Sequence, residues 1–91
     1  IDTAGTITKV AKAIKQRGAK QIWTACVHPV LSRDAVERIN NSPIEKIIIT
    51  DTIKHEKIDS DKFITLSVAE LIGEAINRIH TNSSVSSLFK D

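Results

Sequence analysis

Aromatic side chains are scarce: Trp23, Phe63 and Phe89 are the only ones among 91 residues. Basic residues are therefore not interleaved with stacking rings, and with a formal net charge of only +2 little supports nucleic-acid binding. Cysteine is almost missing. Cys26 has no partner for an intramolecular disulfide, which agrees with a reducing cytoplasm, and its apolar strand pattern predicts a small buried side chain and not a thiol nucleophile. No apolar run is long enough to span a bilayer, and no basic segment with an apolar core follows the first residue. Neither a membrane helix nor a signal peptide is expected. The three histidines, His28, His55 and His80, share no tight ligand spacing with one another or with carboxylates, so no dedicated protein metal site is expected. A Ser-His-Asp hydrolase is equally unsupported, since no nucleophile elbow occurs.

What remains is 41% hydrophobic and 26% charged with both signs mixed, enough for one small domain over 1–91 and suited to small anionic ligands. The chain opens on Ile1-Asp2-Thr3-Ala4-Gly5-Thr6, followed at once by Ile7, Val10, Ala11 and Ile14 at helical spacing. A Thr, Ala and Gly run feeding a helix leaves backbone N–H groups without intrahelical partners, and these can converge on a phosphate that the helix dipole also favours. Gly5 has no side chain to obstruct an anion and tolerates positive φ. Thr3 and Thr6 can add hydroxyl donors, and Thr6 can cap the helix. The same run is also how an ordinary capped helix begins.

Further along, a helix is predicted over about 6–17, ending at Gly18 as the residue past the cap, with Lys9, Lys12 and Lys15 on a solvated face. Lys20 to Val27 reads as a strand in which Trp23 packs, and the strand–helix–strand order implies a right-handed parallel crossover. His28-Pro29 ends that strand, at the sheet edge where ligands bind in open α/β folds; His28 can line a site or make a structural hydrogen bond. Ser32 is expected to cap a short helix over 34–40. Ile44 to Thr50 reads as a parallel strand buried on both faces, 51–62 as a loop, and Phe63 to Leu66 as a short strand. Ser67-Val68-Ala69-Glu70 forms a capping-box pattern before a helix whose Val68, Leu71, Ile72, Ala75, Ile76 and Ile79 make a wide apolar stripe. After His80 comes a polar breaker and the tail Ser84-Val85-Ser86-Ser87-Leu88-Phe89, which can be a frayed end or an ordered segment with Leu88 and Phe89 as apolar anchors.

Asp2 to Thr6 resembles the phosphoribosyl-pyrophosphate loop of the type I phosphoribosyltransferase fold. With Ala25 to Ser32, Ala35 to Ser42, Thr50 to Ile53, Leu66 to Val68, Glu74 to His80 and Ser84 to Phe89, the chain resembles the C-terminal domain of the ribose-phosphate pyrophosphokinases (PRPP synthetases) over nearly its whole length. Val27 stands where a Thr is usual in that family, and Arg33-Asp34 replaces a Gly-containing pair, departures that bear on the His28 loop.

The resemblance implies an α/β fold of three layers, a mostly parallel sheet flanked by helices, truncated on its N-terminal side within the ribose 5-phosphate loop. It implies an enzyme that moves the β,γ-pyrophosphoryl group of ATP to the C1 hydroxyl of ribose 5-phosphate. Asp2, Thr3, Ala4, Gly5 and Thr6 would hold ribose 5-phosphate, with Asp2 near the ribose. Ser84, Ser86 and Phe89 would belong to an allosteric site for phosphate and ADP between subunits of a hexamer. Mg²⁺ would arrive with ATP and be bound mainly by family elements upstream of Ile1, as would the catalytic Lys and Arg, so no catalytic residue is assigned here. The fragment alone would be inactive, the location cytoplasmic, and nucleic acid and membrane would not be partners. Two alternatives stay open: a base phosphoribosyltransferase of the same fold, and a catalytically dead regulatory or interaction homologue.

Overall fold

The computed structural model describes residues 1–32 and 34–89. Helix α1 spans Gly5–Gln16, strand β1 Trp23–Cys26, helix α2 Ala35–Asn40, strand β2 Lys46–Thr50, strand β3 Phe63–Leu66 and helix α3 Ala69–His80, with a short 3₁₀ turn over Ser86–Phe89. The sheet order is β1-β2-β3, and both pairings are parallel. Thr24 lies beside Ile47 and Ile47 beside Phe63; Cys26 lies beside Ile49 and Ile49 beside Thr65. These six residues therefore share one face, because side chains alternate along a strand.

That face carries the core. Ile47 and Ile49 of β2 meet Ala11 of α1, Ala35 and Ile39 of α2, and Ile44. Each buried isoleucine contributes about 1.5–3 kcal/mol of apolar transfer. Small residues on α1 and α2 allow the two helices to lie close over the strands.

The opposite face is open among the described residues. Trp23 is 56% exposed and Leu66 also 56%, and Ala25 and Ile64 are exposed with them. The three layers expected from sequence are thus two here, and Trp23 is a surface side chain. Helix α3 has no buried residue, and its stripe is exposed at Leu71, Ile72, Ile76 and Ile79. The Cα radius of gyration, 16.5 Å, exceeds the roughly 12 Å of a compact chain this long, as a projecting α3 requires.

Turn chemistry closes the helices. Gly18 takes φ +101°, its N–H donates to the Lys15 carbonyl and that of Ala19 to the Ile14 carbonyl, so left-handed backbone past the cap satisfies the last turn of α1. Asn82 does the same for α3 at φ 57°, with Ser83 N–H reaching the Arg78 carbonyl at 2.7 Å. Helix starts depart from expectation. Thr6 does not cap α1, whose cap position is Ala4, and no side chain caps α2 or α3 in the usual way. At α3 the Ser67 hydroxyl accepts from Ala69 N–H, while the Asp51 carboxylate accepts from Val68 N–H at 2.8 Å, so the S-x-x-E pair does not close on itself.

Candidate functional site

The first residues lie against the carboxyl end of β1. Ile1 carbonyl accepts from Val30 N–H at 2.9 Å and Leu31 N–H at 3.2 Å, and Asp2 carbonyl accepts from Ser32 N–H at 3.0 Å. The chain then turns through Ala4, held left-handed at φ 65°, into α1. Positive φ therefore falls on Ala4, whereas Gly5 is helical. An alanine pays a steric penalty in that region, and the turn persists because Ala4 is buried and its carbonyl is bonded twice, by Thr8 N–H at 3.2 Å and the Thr8 hydroxyl at 2.7 Å. Gly5 matters for space: a Cβ there would sit 3.2 Å from a terminal nitrogen of Arg38 and 3.6 Å from Thr3 Oγ1.

This turn puts the amides of Gly5, Thr6 and Ile7 at a helix N-terminus, where no carbonyl four residues back lies within the helix. Thr3 Oγ1 lies 3.5 Å from Gly5 N. Asp2, Thr3, Ala4, Gly5 and Thr6, all five residues assigned from sequence, line one cleft of about 420 Å³ together with Ile1, Ile7 and Val10. Behind Gly5 a second groove between α1 and α2, about 580 Å³, is lined by Lys9, Lys12 and Arg38 with Asp34 and Glu37. Partial positive charge at the helix start and cationic side chains nearby suit an anion.

His28 stands at the same sheet edge. Its Nδ1 lies 2.9 Å from Thr52 Oγ1, which also donates to the Val27 carbonyl at 3.0 Å. The structural hydrogen bond anticipated as one option for His28 is present. Asp51, unassigned from sequence, holds the start of α3. Its carboxyl lies below the usual carboxylate range, first because the Ser67 hydroxyl donates to it and next because Val68 N–H does.

Ser84 and Ser86 come together in the tail, hydroxyl oxygens 3.0 Å apart, beside Arg78, which donates to the Ser84 carbonyl at 3.0 Å and to the Ser87 hydroxyl. Phe89 is 67% exposed, so of the two expected anchors only Leu88 is half-buried. The tail turns back along α3, so that Leu88 lines a pocket with Ser67, Glu70, Leu71 and Glu74, and shares no lining residue with the cleft over the Asp2 to Thr6 loop. The histidines are on separate elements, and among the described residues no three His, Cys, Asp or Glu side chains converge on a metal position. No described helix is long and apolar enough to cross a membrane.

Comparison with known proteins bears directly on this geometry. The family model for the phosphoribosyl synthetase-associated domain matches residues 1–90. The chain belongs to that family. Within the phosphoribosyl synthetase-associated family, ribose-phosphate pyrophosphokinase 1 of Listeria innocua is 55% identical over 91 residues, 99% of this chain and 29% of its own. The ribose-phosphate pyrophosphokinase of Bacillus subtilis is 52% identical over 90 residues, 98% of this chain and 28% of its own. A crystal structure of phosphoribosylpyrophosphate synthetase from Mycobacterium smegmatis superposes with a TM-score of 0.86 at 31% identity, covering 91% of this chain and 28% of that one. The chain therefore spans less than a third of the length of these relatives.

Proposed function

We propose that this chain is part of a ribose-phosphate diphosphokinase, which transfers the pyrophosphoryl group of ATP to the C1 hydroxyl of ribose 5-phosphate, giving PRPP and AMP. Within it the chain serves as most of a C-terminal domain of type I phosphoribosyltransferase fold. The observation that carries the reading is the cleft over the Asp2 to Thr6 turn, which these five residues line beside a helix N-terminus at the carboxyl edge of a parallel sheet. The names of the relatives favour this reading over a base phosphoribosyltransferase.

In this reading Thr3, Ala4, Gly5 and Thr6 bind the 5-phosphate through amides and hydroxyls, and Asp2 accepts from a ribose hydroxyl. The chemistry asks mainly for alignment: the C1 oxygen bonds to the β-phosphorus of ATP as the bond from that phosphorus to the bridging α–β oxygen breaks, and AMP leaves. Holding ribose 5-phosphate at one end fixes where its C1 oxygen points. Mg²⁺ enters with ATP, and its ligands and the cationic catalytic groups lie on other parts of the protein. No catalytic residue is assigned to this chain.

The tail is proposed to form part of an allosteric phosphate and ADP site completed by neighbouring subunits of a hexamer. The Ser84 and Ser86 hydroxyl pair beside the Arg78 guanidinium supports this, since hydroxyls with a fixed cation suit phosphate oxygens. The deciding experiment follows AMP release by full-length protein from ATP and ribose 5-phosphate, with a purine base and PRPP as the competing assay. Base-dependent pyrophosphate release without AMP formation would reject the proposal.

A further inference from the structure

The side chain of Ser32 does not do what its position suggests. It precedes α2, yet only its backbone carbonyl serves the start of that helix, accepting from Ala35 N–H at 3.3 Å. Its hydroxyl instead donates to Oδ1 of Asp2, across 30 residues of chain, while its N–H donates to the Asp2 carbonyl. Backbone and side chain of one residue thus grip backbone and side chain of the other. The grip is itself fixed: Leu31 is left-handed at φ 49°, and Val30 and Leu31 both donate to the Ile1 carbonyl. Asp2 is otherwise exposed and, among the described residues, has no cation as a hydrogen-bond partner.

We infer that Ser32 is a positioning residue for the Asp2 carboxylate, presenting its second oxygen to a ribose hydroxyl. The inference rests on the proposal that Asp2 to Thr6 hold ribose 5-phosphate. An exposed aspartate samples three staggered χ1 wells, and occupying Oδ1 with the Ser32 hydroxyl selects one. Without the clamp the productive orientation falls to roughly a third or less of the population, and the apparent affinity falls in proportion.

In the full-length protein, Ser32→Cys, close in size but a poor donor, is expected to raise the KM for ribose 5-phosphate about three- to tenfold with the KM for ATP unchanged. Ser32→Thr, which keeps the hydroxyl, is expected to restore it, and Ser32→Cys on an Asp2→Asn background to add nothing further, because the residue acts through Asp2. A wild-type KM for ribose 5-phosphate in Ser32→Cys, an equal rise in both KM values, or full additivity with Asp2→Asn would overturn the inference. If Asp2→Asn itself leaves the KM for ribose 5-phosphate unchanged, the loop assignment has failed. If Asp2→Asn raises it and Ser32→Cys does not, only the positioning role has failed.

Discussion

Replacing Gly5 by valine in the full-length protein is expected to raise the KM for ribose 5-phosphate about 10- to 100-fold while leaving the fold near wild type. The space at Gly5 sets both halves of that expectation. A Cβ there would lie 3.2 Å from a terminal Arg38 nitrogen and 3.6 Å from Thr3 Oγ1. Arg38 is a flexible, exposed side chain held by one i,i+4 ion pair to Asp34 at 3.3 Å, worth only about 0.3–0.5 kcal/mol, so it can yield. The backbone of Gly5 is already helical, and valine requires no new conformation there. An incoming phosphate cannot yield in the same way. The branched side chain would crowd the Thr3 hydroxyl, which takes the Gly5 amide at 3.5 Å, and each hydrogen bond lost to a charged group costs about 1.5–3 kcal/mol. At about 1.4 kcal/mol per tenfold, one such bond gives the stated range. Initial rates at varied ribose 5-phosphate and saturating ATP, alongside thermal unfolding, make the measurement. An unchanged KM in a normally folded variant would refute the assignment of the turn as the phosphate grip.

In the full-length assembly, Ser86→Ala and Phe89→Ala are expected to weaken ADP inhibition or phosphate activation more than they change substrate KM values, because the tail contributes no residue to the cleft over the Asp2 loop. Unaltered effector responses in both would reduce the tail to packing. The 91-residue chain by itself is expected to form no AMP from ATP and ribose 5-phosphate, and AMP above the level of a heat-treated control would show that the chemistry had been misplaced. Asp51 gives a pH dependence. Its folded pKa is depressed by Ser67 and Val68, so its contribution is complete above the unfolded carboxylate value near 4 and is lost as pH falls through the lower folded value. At the first turn of α3, hydrogen-exchange protection, taken as the ratio of intrinsic to observed rate at each pH, is expected to fall below about pH 4 and to change little between pH 5 and 8; an Asp51→Asn variant with the same acid-induced loss would exclude this carboxylate as its source.

Local patterns in the sequence transferred well where the determinants are themselves local. The apolar run before Thr50 is β2, and Gly18 ends α1. Features set by distant partners were harder to read. The Ser32 hydroxyl had a nearby helix to cap and went instead to Asp2, and Ser67 answers to Asp51 as much as to its own helix. Neither choice leaves a mark in residue spacing. The stripe of α3 shows the same limit from another side, since periodicity establishes that a helix has an apolar face but not what lies over it. Trp23, expected to pack as part of its strand, falls on the sheet face that no described element covers. The left-handed turn fell on Ala4 and not on its glycine neighbour because burial and the two Thr8 bonds outweigh the intrinsic preference.

Lys62 ties the order of assembly to the order of the chain. Its ammonium donates to the carbonyls of Ile39 at 3.2 Å and Ser42 at 2.9 Å, at the closing turn of α2, while its own carbonyl accepts from Ile47 N–H at 2.8 Å as β3 begins. Helix α2 has six residues, too few to persist alone in water. A growing or refolding chain that has made residues 35–42 can close the helix end only locally, through the Ser42 N–H and hydroxyl on the Ile39 carbonyl, and gains the Lys62 ammonium when β3 arrives beside β2. Stabilisation of α2 and docking of β3 are therefore expected to be coupled, and a spectroscopic reporter placed on the helix is expected to sense the strand's arrival.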